Sequence, residues 1–149
     1  MPSTATDPAN MTEQEIARAC ADIMYENDQA SQFLGINLVD IAPGQATMSM
    51  EIKPYMLNGH ENCHGGFIFS LADSCFAFAC NSRNNICVGQ SVSIDYLSPG
   101  KLGEVLTASA VELKHGGRTG LYEITVNAPN GSAVAHFRGR SYRLQGQHI

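Results

Sequence analysis

Segment 67–80 is apolar at almost every position, and Asp73 is the one charged residue within it. A helix with apolar side chains on every face belongs inside a fold, because it has no polar face to turn toward water. The segment is also shorter than the roughly 18 residues of a membrane span. The sequence therefore predicts a buried central helix from Gly65 to about Cys80. Burying a lone carboxylate is unfavourable, so Asp73, which we expect to be buried, is the first candidate for a functional residue.

The composition of the chain is that of a globular protein. Its 149 residues are 44% hydrophobic and 15% charged, which suits one domain with a substantial core. The net charge of -5 argues against nucleic-acid binding, which needs a basic face. Residues 1–11 are polar and predict a disordered tail, followed by a single domain over 12–149. The five cysteines form no C-x-x-C pair, and no signal-like or membrane-spanning apolar run is present, so we expect a cytoplasmic protein with free thiols and no membrane contact.

The remaining elements are predicted from caps, turns and alternation. Thr12 and Glu15 form a capping box that begins a helix over 13–33, with a break near 26–28 and an end at Gly35. Strands are predicted at 36–41, 45–52, 91–96, 105–113, 121–127 and 133–144, the last three as an antiparallel meander. A long antiparallel sheet with one apolar face needs a cover. We therefore expect an α+β fold in which the sheet wraps around the central helix and the N-terminal helix packs at the side.

The stretch before the central helix contains an H-E-x-x-H pattern, His60 to His64. In zinc proteases this pattern lies on a helix, which brings both histidines to one face. Here a glycine precedes it and Gly65 and Gly66 follow it, and glycines oppose a helix through the motif. We therefore expect no metal site. Cys63, beside His64, is expected to be a structural thiol, because adjacent residues rarely present a nucleophile and its base to each other.

The paired glycines at the start of the central helix have a chemical use. Backbone N–H groups at a helix start lack partners within the helix and lie at its positive end, so they suit a carbonyl oxygen that is becoming negative. However, Gly65 and Asp73 are eight residues apart, or about 12 Å along a helix. That is too far for both to act on one carbonyl group. Two antiparallel copies of the helix would bring Gly65 of one chain to Asp73 of the other, so the spacing predicts a two-fold homodimer with active sites across its interface.

The motif N-G-H-x-x-C-H-G-G-x-x-F-S-L-A-D at 58–73, continued by F-A-x-A-C-N-S, resembles the hotdog-fold acyl-CoA thioesterases. Four further segments, 24–28, 56–60, 94–100 and 137–139, also resemble this family. The resemblance therefore covers about residues 20–143. Within the family it is closest to the branch of phenylacetate degradation. The resemblance implies a hotdog fold, an antiparallel sheet wrapped around one long central helix, and a tetramer built from two dimers.

The resemblance also implies roles for individual residues. It makes Asp73 the catalytic base or nucleophile, Gly65 with Gly66 the backbone donors that polarise the thioester carbonyl, Asn58 the residue that orients water or thioester, and His64 a support of the site. Loop 114–120 lies where relatives contact the phosphates of coenzyme A, which suggests Lys114 and Arg118. We further expect an acyl pocket near the helix start, with Asn58 and one or more of Phe67, Met56 and Leu57 at its rim. No cofactor is implied, since coenzyme A is part of the substrate.

The function implied by the resemblance is hydrolysis of an aromatic acyl-CoA, such as phenylacetyl-CoA or a ring-hydroxylated derivative, to the free acid and coenzyme A. Two alternatives stay open at this point. A hotdog hydratase or dehydratase acting on acyl-CoA would use His64 as its main base and would depend little on Asp73. A non-catalytic module would bind acyl-CoA and release no thiol.

Overall fold

The computed structural model describes residues 6–149, and that part of the chain contains three α-helices and six strands. The helices are α1 (Glu13–Asn27), α2 (Gln29–Leu34) and α3 (Gly65–Cys80), and the strands are β1 (Asn37–Ala42), β2 (Gln45–Glu51), β3 (Cys87–Tyr96), β4 (Val105–Gly116), β5 (Thr119–Asn127) and β6 (Ala133–Arg143). Short 3-10 turns occupy Pro8–Asn10 and Pro54–Met56. Of the predicted tail at 1–11, residues 1–5 lie outside the described residues.

The N-terminal helical segment breaks where the sequence predicted it. The capping box of α1 forms, with Thr12 accepting from the Glu15 N–H at 3.1 Å and Glu15 accepting from the Thr12 N–H at 3.2 Å. Asp28 then ends α1 and caps α2 by accepting from the Ser31 N–H at 2.9 Å. Gly35 closes α2 in the left-handed conformation, at φ 69°, which glycine adopts without steric penalty.

The six strands form one antiparallel sheet in the order β1-β2-β4-β5-β6-β3. The predicted meander of the last three strands is confirmed. Strand β3 does not pair with β4, its successor in the chain, but returns to pair with β6. It therefore lies at one edge of the sheet, with one row of its backbone groups unpaired within the chain.

The sheet wraps around α3, which contacts all six strands. Side chains of α3 fill the core against the sheet, with the Phe76 ring lying between Tyr122 on β5 and Phe137 on β6. Gly139 on β6 leaves room for that ring, since a Cβ there would lie 2.8 Å from the Phe76 Cζ. The predicted architecture, an antiparallel sheet around one central helix with a second helix at the side, is confirmed. No helix within residues 6–149 is long and apolar enough to span a membrane.

One face of α3 remains uncovered in the single chain. Gly66 and Asp73 are exposed there, and Ser70 and Ala77 are half-buried. The expectation that Asp73 is buried is therefore wrong for the single chain. The spacing of these four positions places their side chains on one face of the helix. We call this face the α3 stripe (Gly66, Ser70, Asp73 and Ala77). The sequence does not indicate this exposed face, because the face is narrow, most of its residues are small, and its neighbours in the sequence are apolar.

Candidate active site

The start of α3 is capped by a histidine. His64 has extended backbone angles, φ -60° and ψ 135°, and its Nδ1 accepts a hydrogen bond of 2.9 Å from the Gly66 N–H. An accepting Nδ1 carries no proton, so the neutral ring holds its proton on Nε2. His64 therefore organises the first turn of α3 through one ring nitrogen and keeps an N–H donor on the other.

Gly65 supplies the one unpartnered backbone donor of this turn. The Gly66 N–H is taken by His64, and the Phe67 N–H donates to the His64 carbonyl at 3.0 Å. Within residues 6–149, the Gly65 N–H makes no hydrogen bond. Of the two glycines predicted to polarise a carbonyl, Gly65 thus has the available donor, and Gly66 contributes by holding the histidine.

Asn58 is fixed by the loop that precedes the helix. Its Oδ1 accepts from the backbone N–H groups of His60 at 2.9 Å and Asn62 at 3.2 Å. Its own backbone N–H donates to the Asn62 carbonyl at 2.8 Å. With Oδ1 engaged in the loop, the Nδ2 amide group is the part of Asn58 that remains for a ligand.

Asn58 and Gly65 line the same pocket, which has a volume of about 530 Å³. Its other lining residues are Asn62, Cys63, Ile68, Tyr96, Leu97, Ser98 and Pro99. Gly65, whose N–H is unpartnered, thus forms part of a wall that combines apolar side chains with amide groups. That composition is typical of a small-molecule site, in which a few polar groups fix the orientation of a ligand.

Asp73 does not line this pocket. It lies two turns along α3, on the exposed stripe, as the spacing from Gly65 predicted. Although the side chain is exposed, neighbouring protein atoms remove part of its hydration, and this partial burial raises the pKa of the Asp73 carboxyl above its ordinary value of 3.8. The single chain therefore brings Asn58, His64 and Gly65 together and leaves Asp73 apart from them.

The geometry supports neither a zinc site at the H-E-x-x-H pattern nor a nucleophilic thiol at Cys63. The histidine pattern lies in a loop, and Glu61 has a left-handed backbone at φ 62°, so the helix that a zinc protease needs does not form. Burial raises the pKa of the Cys63 thiol to about 11, which keeps it protonated at neutral pH and poorly nucleophilic.

Lys114 and Arg118 lie far from this pocket in the single chain. Both are exposed, Lys114 in β4 and Arg118 in the β4–β5 turn. Arg118 lines a second pocket of about 610 Å³ together with Asn85, Tyr142, Arg143, Leu144, Gln145, Gly146 and Gln147. Its carbonyl accepts from Arg143, which pairs with Cys87 at the start of β3. The first pocket adjoins Tyr96 at the end of β3, about 30 Å away along the strand.

An aromatic cluster lies near the helix start. We define it as Phe33, Tyr55 and Phe67. The ring centres of Phe33 and Tyr55 lie 6.3 Å apart, and those of Tyr55 and Phe67 lie 6.0 Å apart. The Phe67 ring also lies 6.3 Å from the His64 ring. Phe33 is 77% and Tyr55 51% exposed. The predicted place of Met56 at a pocket rim is wrong, because its side chain is fully buried. Leu57 is half-buried and pairs with Cys63 in the loop.

Tyr96 is a site residue that the sequence did not reveal. It lies at the end of β3, lines the pocket of Asn58 and Gly65, and donates from its hydroxyl to the Gly65 carbonyl at 2.9 Å. In the sequence it is one apolar position in an alternating strand. No local pattern could connect it with a helix start 31 residues earlier.

Comparisons with known proteins agree with this geometry. The family model described as the thioesterase superfamily matches residues 60–135. The chain is 44% identical to the acyl-coenzyme A thioesterase PaaI of Escherichia coli (strain K12), over 85% of this chain and 90% of that protein. It is 32% identical to acyl-coenzyme A thioesterase 13 of Homo sapiens, over 69% of this chain and 76% of that protein.

A solved structure has the same fold. The E. coli PaaI protein from the phenylacetic acid degradation operon superposes with a TM-score of 0.90 at 42% identity, covering 91% of this chain and 99% of that one. The likeness of fold therefore extends over most of the chain.

Proposed function

The chain belongs to the thioesterase superfamily and is an acyl-CoA thioesterase of hotdog fold, and from that premise we propose that it hydrolyses aromatic acyl-CoA at a site built from two subunits. The observation that carries the proposal is the unpartnered N–H at the positive end of α3, which belongs to Gly65, a residue that lines a pocket. A donor placed there stabilises the oxyanion that forms when a thioester carbonyl is attacked.

The proposed roles follow from the contacts of each residue. Gly65 donates to the carbonyl oxygen, Gly66 and His64 hold the helix start in place, and the Asn58 amide orients the water or the thioester. Asp73 acts as a base or as a nucleophile. As a base it takes a proton from water while the water oxygen bonds to the carbonyl carbon, and the thiolate of coenzyme A then leaves and takes up a proton. As a nucleophile its carboxylate bonds to the carbonyl carbon and displaces the thiolate of coenzyme A, which takes up a proton. Water then opens the resulting anhydride to the free acid and the regenerated carboxylate.

A second copy of the chain would complete the site. In the single chain, Asp73 is separated from the Gly65 donor by two turns of helix. If two α3 helices pack antiparallel with a two-fold axis near Ser70, the partner's Asp73 lies opposite Gly66. The small side chains of the α3 stripe would allow the two helices to approach closely.

The edge strand β3 supports the same dimer. It is ten residues long, and Val88, Val92 and Tyr96 are 44%, 39% and 52% exposed. A long, partly apolar edge with unpaired backbone groups is a template for pairing with another strand. Because β3 lies beside the α3 stripe, antiparallel pairing of β3 with the partner's β3 would cover both surfaces at once. We propose this dimer as the minimal active unit and two such dimers as the tetramer.

An arginine on the α3 stripe is expected to separate the dimer. In Ala77→Arg, a bulky charge would be placed on the α3 stripe where, with the axis near Ser70, it meets the loop that precedes the partner's α3. The dimer dissociation constant should then rise about 100-fold. The measurement is light scattering after size-exclusion chromatography over a concentration series, with thiol release at each concentration. Ala19→Arg, the same change at a half-buried alanine of α1, should stay dimeric and active. A dimeric and fully active Ala77→Arg would contradict the proposed interface.

The same dimer gives Lys114 and Arg118 a place in substrate binding. Antiparallel pairing of β3 brings the start of one strand beside the end of the other. The partner's Arg118 pocket would then adjoin the pocket of Asn58 and Gly65. We propose that these cations bind the phosphates of coenzyme A from across the interface, where an arginine can contact phosphate oxygens with two donors.

The aromatic cluster supports an aromatic acyl group. Phe67 packs against the His64 ring, so the cluster lies next to the residue that caps the reacting helix start. Aromatic rings in such positions favour an aromatic partner through edge-to-face contacts, worth about 0.5–1.5 kcal/mol beyond burial. The name of the E. coli relative, from a phenylacetic acid degradation operon, agrees with phenylacetyl-type substrates.

A thiol-release assay tests the proposed substrate. We expect kcat/KM for phenylacetyl-CoA to exceed that for hexanoyl-CoA about 10-fold, given the contacts expected from the cluster. Binding of phenylacetyl-CoA without thiol release would support the non-catalytic alternative. Hydration of an enoyl-CoA that depends on His64 and not on Asp73 would support the hydratase alternative.

A further inference from the structure

One peptide group at the start of α3 is held at both of its polar atoms. The carbonyl of Gly65 accepts from the Tyr96 hydroxyl at 2.9 Å, and the N–H of Gly66, in the same peptide group, donates to His64 Nδ1 at 2.9 Å. The preceding peptide group carries the Gly65 N–H, and its carbonyl, that of His64, accepts from Phe67 at 3.0 Å. The Gly65 N–H is thus the free donor in a turn whose other groups are bonded.

Tyr96 also sets the position of this turn by contact. A Cβ added to Gly65 would lie 2.9 Å from Cζ and 3.0 Å from the hydroxyl oxygen of Tyr96. The ring therefore packs directly on the glycine backbone, and any side chain at this position would displace it. Since Tyr96 is held in the β3–β6 ladder through its pairing with Ala135, it ties the helix start to the sheet.

We propose that Tyr96 is a positioning residue for thioester hydrolysis, holding the Gly65 N–H in line with the substrate carbonyl. The inference rests on the proposed function and adds to it a residue that acts through Gly65. Two successive glycines have the greatest backbone freedom of any pair, and an oxyanion donor works only when it is aimed beforehand at the position of the developing charge. The Tyr96 hydroxyl removes that freedom.

The hydrogen bonds also act in series. The Tyr96 hydroxyl polarises the Gly65–Gly66 peptide group, which strengthens the bond from the Gly66 N–H to His64. The bonded His64 ring in turn holds its Nε2–H outward as a donor. Loss of the hydroxyl should loosen both the Gly65 donor and the histidine cap, while the ring of a phenylalanine would still fill the pocket wall.

Tyr96→Phe is expected to lower kcat about 10-fold with KM unchanged, a part of the 10²–10³-fold loss seen when a whole oxyanion donor is removed. The matched control is Tyr25→Phe, which removes a hydroxyl bond of the same length, 2.9 Å, to the Ile36 carbonyl. Tyr25→Phe should lose at least as much thermal stability as Tyr96→Phe, since the bond of Tyr25 is part-buried and that of Tyr96 is exposed. Only Tyr96→Phe should have a lowered kcat. Equal kcat in the two variants, or a raised KM with unchanged kcat, would overturn the inference.

A coupling experiment tests whether Tyr96 acts through Gly65. Gly65→Ala pushes the Tyr96 ring away and breaks the same hydrogen bond, so the double variant with Tyr96→Phe should be no more than about 2-fold slower than Gly65→Ala alone. Losses that multiply would show independent roles and overturn the inference. Failure of the proposed function is distinguishable, because it would appear as absence of thiol release in the unaltered protein.

Discussion

Replacing Asp73 with asparagine is expected to lower kcat for thiol release about 10³-fold, the range attributed to one positioned general base or acid. Asparagine has nearly the same shape but neither takes a proton from water nor attacks a carbonyl. The oxyanion donor of Gly65 and the pocket of Asn58 are untouched by the change, so KM should stay close to that of the unaltered protein. The measurement is steady-state thiol release with phenylacetyl-CoA.

The same substitution is expected to leave stability unchanged or raised at neutral pH. Partial burial raises the pKa of Asp73 in the folded chain, so ionisation of this carboxyl is less favourable in the folded than in the unfolded state. Above both pKa values the charge therefore lowers the free energy of unfolding, and the neutral asparagine removes that effect. The catalytic group must be ionised, so kcat/KM should fall with decreasing pH as this carboxyl takes up a proton.

Asp22→Asn is the matched control for Asp73→Asn. Asp22 is also an exposed aspartate on a helix, in α1, and it is remote from the pocket of Asn58 and Gly65. Its replacement should change neither kcat nor the acid limb of the pH profile. A fully active Asp73→Asn protein would contradict the assigned role and favour a mechanism based on His64.

Local patterns in the sequence were sufficient to predict the helices and strands and the part of the site that precedes and begins α3. The bounds of α3 were predicted correctly, because two glycines begin it and the apolar run ends at Cys80. The break predicted near 26–28 is the place where Asp28 caps α2. Asn58, His64 and Gly65 lie within eight positions of one another, so their grouping followed from one motif and the helix start that it precedes.

Non-local packing decided the rest. The pairing of β3 with β6 depends on how the sheet wraps, and no turn signal specifies it. Asp73 was expected to be buried because an apolar sequence cannot show which narrow face of a helix remains open. Tyr96 acquires its contact with Gly65 only when the end of β3 meets the start of α3. These three outcomes concern the same edge of the molecule, the edge that a second subunit would cover.

Two inactive variants are expected to restore each other's activity when they share a dimer. The first is Asp73→Asn, and the second is Gly65→Pro, which removes the oxyanion donor. Proline suits the first position of a helix, and His64 already has the extended backbone that precedes a proline. The fold should therefore persist after a shift of the Tyr96 ring, and circular dichroism and melting temperature verify that it does. Alone, each variant should lose about 10²–10³-fold in kcat.

In a mixed dimer one of the two sites combines an intact Gly65 with the partner's Asp73. Random association makes half of the dimers mixed, so co-refolded protein should recover about a quarter of full activity, a gain of roughly 100-fold over either variant. Asp73→Asn mixed with the double variant Asp73→Asn/Gly65→Pro is the matched control, since no pairing of those chains contains an intact site. If the first mixture stays as inactive as its components, each site lies within one chain. Recovery in the first mixture alone requires that Gly65 and Asp73 act on one substrate from different subunits.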